Sequence, residues 1–173
     1  MMTRADPLPE SEGSVMFPPP ILLAALVILA ANLLQWLFPV ELIADIAFID
    51  DIDPDWLSAA GAILAAAGAA LSLAGQWALK RRGADVNPSQ PVMVLVTDGV
   101  FGWTRNPVYL GLWIALIGIS LVFAFDWLLV LTPLAWLLVN YAVVRSEERY
   151  LEQRFDKEYR DYMRRVPRYF FIR

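Results

Sequence analysis

Two groups of residues, far apart in the chain, have the types and spacing to do chemistry. The first is Arg105, Asn106 and Tyr109, with Trp103 and Thr104 just before them; the second is Glu147 and Glu148. Asn106 is a good helix N-cap residue, and Pro107 suits the first helical position, where its missing N–H costs nothing. A long apolar run follows, so the spacing predicts a helix that starts at Pro107 with its free N–H groups and positive dipole end beside Arg105. A polar, partly cationic corner at the edge of a membrane is expensive unless it binds something. The chain has no His and no Cys, which removes the usual general base, the usual metal ligands and any disulfide. Chemistry must therefore run on carboxylates, Arg, Tyr, Asn and backbone, or on a cofactor that brings its own reactivity. A plainer reading of the carboxylates is a set of interfacial ion pairs, Glu147 or Glu148 with Arg145 or Arg149.

The elements that must position these groups follow from hydropathy. The chain is 58% hydrophobic with a mean hydropathy of +0.51, above that of a soluble domain. Ile21 to Val40 and Trp56 to Leu79 carry no charge, and each is long enough to cross a hydrocarbon core about 30 Å thick. Asn106 to Val144 has 39 residues and one charge, Asp126. At 1.5 Å per residue it measures about 58 Å, twice the core, so a helical hairpin turning at Phe125–Asp126 is expected. The reading is an all-α integral membrane protein with four transmembrane helices, 21–39, 56–79, 107–124 and 127–145, the last two forming the hairpin. Residues 1–20, rich in Pro and acid, read as a cytosolic tail, and 21–173 as one membrane-embedded domain with its catalytic part at 86–173.

The hairpin brings the start of the third helix and the end of the fourth together, so Glu147 and Glu148 are expected beside Arg105, Asn106 and Tyr109. Thirteen of the 14 basic residues lie after the second or fourth helix or just before the third, while the segment between the first two helices holds six acids and no base. By the positive-inside rule both termini and the chemistry-bearing corner face the cytoplasm. Gly61, Gly68 and Gly75, with Ala65 and Ser72 between them, put small residues on one face of the second helix and predict a close packing seam. Leu151, Phe155, Tyr159, Tyr162 and Val166 recur at helical spacing among charges, which predicts a C-terminal amphipathic helix. It either lies on the lipid surface or forms a lid continuous with the fourth crossing, and Pro167 and Arg168 end it.

The run L-V-T-x-G-V-F-x-W-x-R-N-P-V-Y-x-G from Leu95 to Gly111, then a hairpin, then Glu147-Glu148, then F-x-x-E-Y-x-x-Y-x-x-R-V-P from Phe155 to Pro167, resembles the isoprenylcysteine carboxyl methyltransferase family and the related bacterial membrane and phospholipid methyltransferases. The resemblance covers Val86 to Arg168. It implies a membrane enzyme that uses S-adenosyl-L-methionine and releases S-adenosyl-L-homocysteine, with the cofactor in a pocket on the cytosolic side. It further implies cofactor contacts at Met93, Val94, Leu95, Val96, Phe101, Asn106, Pro107, Val108, Tyr109 and Glu147. Arg105 matches the arginine beside the methyl-transfer point, and Arg145, Glu148 and Trp103 are weaker candidates on the acceptor side. The implied partners are a lipophilic small molecule or lipidated substrate and the bilayer, with no nucleic acid and no metal.

The chain departs from the family pattern in three places. Asn106 stands where His is usual, Gly102 stands where bacterial relatives often have Arg, and Val143 falls nearest the family's substrate-contacting Arg, two residues before Arg145. An activated sulfonium methyl needs neither metal nor His, so the protein's task reduces to positioning the reactants and excluding water. Two other classes are compatible with the architecture: an NADPH-dependent membrane reductase of the sterol type and a non-catalytic membrane scaffold. The loop Gly83 to Val96 offers few basic groups for a dinucleotide phosphate, which counts against the reductase.

Overall fold

The structure, a computed structural model, describes residues 20–43, 54–84 and 94–170. Among the described residues it is helical without a strand: α1 (Pro20–Leu37), α2 (Pro54–Arg81), a 3-10 turn (Gly99–Gly102), α3 (Pro107–Val122), α4 (Asp126–Val139), a π-turn (Asn140–Val144) and α5 (Arg145–Arg165). The expected spans 21–39, 56–79 and 107–124 each fall on one of these helices, with ends displaced by at most about two residues, whereas 127–145 runs from α4 through the π-turn to the first residue of α5. Three helices are long and apolar enough to cross a membrane: α1, α2 and the continuous rod from α4 through α5; α3 is apolar but shorter. Met93 and the acidic residues 45–53 lie outside the described residues.

α2 and α3 form the most extensive interface, and small residues make it. Gly61 lies against Gly118, Gly68 against Gly111 and Ala115, and Gly75 against Val108, so the two helices run antiparallel. A Cβ placed on Gly68, Gly111 or Gly118 would come within 3.0 Å of backbone on the facing helix. The seam expected on α2 is therefore a backbone-to-backbone contact, answered on α3 by Gly111 and Gly118 at the same seven-residue interval. Without a hydrophobic drive between helices in lipid, such close approach supplies the dispersion energy that holds them. Gly83, at φ 65°, ends α2; its N–H donates to Lys80 O and that of Ala84 to Leu79 O, the bonds of a Schellman cap.

α3 ends in the same way, at a different kind of residue. Ala124 takes φ 45° and Phe125 N donates to Ser120 O at 2.8 Å, so the connection to α4 is Phe123–Phe125 rather than the expected Phe125–Asp126. Asp126 is instead the buried first residue of α4, and its Oδ1 accepts from Ile43 N at 2.7 Å. Trp127 Nε1 donates to Phe38 O at 2.6 Å. These two bonds tie the end of α1 to the start of α4 at the face opposite the candidate site.

From α4 onward one buried stripe runs through Leu128, Thr132 and Val139, crosses the π-turn to Val144, and continues through Glu148, Phe155, Tyr159, Tyr162 and Val166. The step from Val139 to Val144 is five residues where the α-helical step is four or three. Arg145 N–H donates to Asn140 O, the i to i−5 bond of a π-helix, which keeps the stripe on one face of a single rod. α5 bends at Asp156, which takes φ 43°. Phe155, Tyr159 and Tyr162 of α5 cluster with Val166, and Leu95, Leu151 and Met163 pack against them.

Candidate functional site

The site forms where the 3-10 turn, the start of α3, the first turns of α5 and the segment 166–169 converge. Pro107 opens α3 as expected, and Leu110 N–H donates to Asn106 O at 3.0 Å, the first helical bond. Asn106 occupies the N-cap position but its side chain caps nothing. Thr104 Oγ1 instead accepts from Asn106 N at 3.3 Å and donates to Arg168 O at 2.6 Å. The helix N-terminus is left open, with no side chain satisfying the first N–H groups of α3.

Arg105 is 9% exposed and Asn106 8%, yet Arg105 Nε and Nη1 and Asn106 Nδ2 are buried donors with no partner among the described residues. Buried donors without acceptors cost about 1–3 kcal/mol each, more when charged, so a cluster of them points to a ligand. Trp113 Nε1, two turns along α3, is a further buried donor without a partner.

The two carboxylates have separate roles. Glu148 is buried; its Oε1 lies 3.3 Å from Arg105 Nη2, and both of its oxygens accept from Arg168 Nε at 3.0 Å. Arg168 Nη2 adds a third bond at 2.5 Å. This hydrogen bonding with Glu148 raises the Arg168 pKa above its usual value, against the lowering effect of burial. Two guanidinium groups thus share one carboxylate and leave one positive charge in excess. Neither glutamate pairs with Arg145 or Arg149: the Arg145 guanidinium sits 5.3 Å over the Tyr141 ring, and Arg149 Nε donates to Arg145 O. Glu147 is half-buried and no ion pair holds it among the described residues. Burial and, next, the neighbouring Glu148 charge push its pKa up to about 7.

The C-terminal segment straps this corner. Arg105 N donates to Pro167 O at 3.0 Å, and Tyr162 OH donates to Phe101 O at 2.6 Å. Burial pushes the phenols of Tyr159 and Tyr162 up, so both stay neutral donors. Tyr169, buried, stacks at 5.7 Å on Trp136 of α4.

Of the residues singled out by sequence, the structure gathers Arg105, Asn106, Pro107, Val108, Tyr109, Glu147 and Glu148. Leu95 packs on the α5 cluster, and Val96 and Phe101 pack with Ala84 beneath the turn, so these three wall the corner. Val94 is half-buried at the start of the described loop. Trp103 is 67% exposed and Arg145 is exposed over Tyr141, so neither is gathered into the buried cluster. Sequence reasoning gave Arg168 no role beyond ending α5. Its place directly after the R-V-P run was the available signal, and its pairing with Glu148 emerges only from the fold. Among the described residues there is no group of carboxylates that could hold a metal ion.

Residues 56–158 match the profile of the phospholipid methyltransferase family. The chain is 32% identical over 133 residues to the nickel-cobalt-cadmium resistance protein NccN of Alcaligenes xylosoxydans xylosoxydans, covering 76% of this chain and 59% of that protein. It is 35% identical over 80 residues to the protein-S-isoprenylcysteine O-methyltransferase of Saccharomyces cerevisiae, covering 42% of this chain and 30% of that one. The chain thus spans less than two thirds of the length of either relative, and no solved structure matches it. The family match extends over more than half of the chain, from the start of α2 into α5, and takes in Arg105 and both glutamates: this multi-pass membrane protein belongs to the phospholipid methyltransferase family.

Proposed function

We propose that the protein is an S-adenosyl-L-methionine-dependent methyltransferase with four membrane spans and its site at the cytosolic face. The acceptor is lipophilic: the carboxyl group of a prenylcysteine-like substrate or a lipid head group. The observation that carries this reading is the set of buried donors without partners, Arg105 Nε and Nη1 and Asn106 Nδ2, at an open helix N-terminus beside an unpaired Glu147. Those groups fit the cofactor's own polar atoms. The open N-terminus of α3 and Asn106 suit its carboxylate, and Glu147 suits its ammonium or ribose hydroxyls. The cofactor, when bound, supplies an activated sulfonium methyl.

This chain's residues then have three tasks. Glu147 and the first turn of α3 hold the cofactor. Arg105, pinned through Nη2 by Glu148, turns its remaining N–H edge toward an anionic acceptor oxygen, and the planar fork favours two parallel hydrogen bonds. The strap at 166–169 and the aromatic wall of Phe155, Tyr159 and Tyr162 keep water from the corner. The domain that does this is 21–173, with the cofactor-facing part at 86–173.

The test is purified protein titrated with S-adenosyl-L-homocysteine by calorimetry, paired with transfer of labelled methyl from S-adenosyl-L-methionine into a membrane extract. Binding and a labelled lipophilic product are expected. Binding of NADPH instead, or of neither ligand, overturns the reading.

A further inference from the structure

The C-terminal end of α2 and the 3-10 turn enclose a cavity of about 520 Å³ that shares no lining residue with the site above. Its lining has an apolar part, or floor, of Ala74, Ala78, Gly99 and Val100 and a largely charged part, or rim, of Trp77, Arg81, Arg82 and Asp98. Because α2 and α3 are antiparallel, it lies at the same membrane level as Arg105. The volume falls in the range of small-ligand sites, roughly 300–1,000 Å³. We propose that this cavity binds the head group of an anionic phospholipid through its phosphate.

Charge, shape and position all bear on the occupant. Arg82 is held by Asp98, with Nη1 and Nη2 each 2.5 Å from a carboxylate oxygen. Arg81 pairs with no carboxylate among the described residues; its guanidinium lies 4.3 Å over the Trp77 ring. Among the described residues the rim therefore carries one positive charge in excess. Arg81 lies over the Trp77 face, and its planar guanidinium has the fork that takes two phosphate oxygens at once. A free phosphate would use the rim and ignore the floor. The floor is the side of a helix long and apolar enough to cross the membrane, so the occupant needs an apolar part next to its phosphate. Trp77, 60% exposed at the end of that helix, is the kind of residue that sits at lipid head-group level. A zwitterionic head group would bring its own cation against Arg81 and lose the gain, so an anionic lipid is selected. Snorkelling explains basic residues at a helix end; it does not explain a cavity with an apolar floor and, on its rim, an Arg that lies over Trp77 and pairs with no carboxylate among the described residues.

The experiment places the full chain in nanodiscs of equal phosphatidylglycerol and phosphatidylcholine, extracts it into mild detergent, and counts retained lipids by native mass spectrometry. Preferential retention of phosphatidylglycerol is expected. Arg81→Gln, a change at an exposed position, should cut that preference about fivefold, the effect of one interfacial cation. Arg164→Gln, exposed on α5, should leave it unchanged. Equal retention of the two lipids by the unsubstituted protein, or full preference in Arg81→Gln, overturns the proposal. So does a melting experiment in lipid-free detergent in which inorganic phosphate protects as well as phosphatidylglycerol does. None of these readouts depends on methyl transfer.

Discussion

Glu147 and Glu148 are adjacent in sequence and opposite in surroundings. Glu148 is locked between Arg105 and Arg168, whereas Glu147 pairs with no cation among the described residues and has a pKa pushed up to about 7. Glu148→Gln leaves two buried guanidinium groups without their shared anion and is expected to cost about 3–5 kcal/mol, read as a large drop in melting temperature. Glu147→Gln should melt near the parent temperature while weakening S-adenosyl-L-homocysteine binding by about 1.5–3 kcal/mol. The pH dependence carries a definite sign. A carboxyl whose folded pKa is raised binds more protons folded than unfolded between its ordinary pKa and about 7, so its contribution to stability is full below that window and is lost as pH rises through it. A ligand ammonium wants the ionised form. Affinity for S-adenosyl-L-homocysteine should therefore rise with pH through about 7, and Glu147→Gln should flatten that profile. At Arg105, replacement by Lys keeps the charge and loses the fork. Turnover should fall strongly with cofactor affinity nearly intact, whereas a plain interface anchor would tolerate the change in both assays. Arg105, Asn106 and the glutamates were legible as a site because charged groups at a membrane edge are costly. Which glutamate is paired was not, since that choice depends on Arg168 reaching back from 20 residues away.

Helices were legible because uncharged runs of this length have few other fates in lipid. Their ends were less so. Pro107 marks the start of α3 through its own geometry. The end of α3 rests on Ala124 in a conformation usually flagged by Gly, so the one charge in the run, Asp126, is the visible marker and places the turn slightly late. The small-residue seam on α2 was visible, but its partners Gly111 and Gly118 were not assigned, because seven-residue spacing on one helix does not say which neighbour it meets. Gly111→Ala should destabilise by about 1–3 kcal/mol, since its Cβ would meet the backbone of Ser72 and Gly68. Gly102→Ala, whose Cβ would find only Thr97 O at 3.7 Å, should melt like the parent. Equal melting of all three proteins would remove the seam from the account.

For the whole molecule the governing signal is the segregation of charge, with acids between the first two helices and bases at the ends that carry the site. Single cysteines at Glu41 and Lys80, both exposed, are expected to react with membrane-impermeant maleimide from opposite sides of the bilayer, Lys80→Cys from the cytosolic side. Labelling from one side would refute the expected arrangement of the spans. The π-turn at Asn140–Val144 has no counterpart in that reading. Its only trace was a five-residue step in the apolar stripe, lost in a segment that is apolar on every side. It has a genetic consequence. The rod from Asp126 to Arg165 has a reading frame of its own, in which each residue turns the face by about 100°. Losing one codon between Asn140 and Val144 would let the rod close into an ordinary α-helix with everything beyond it, Glu148 included, still in phase with Arg105, whereas gaining one would rotate all of it out of phase. The segment should therefore accept the loss of one residue far more readily than the gain of one.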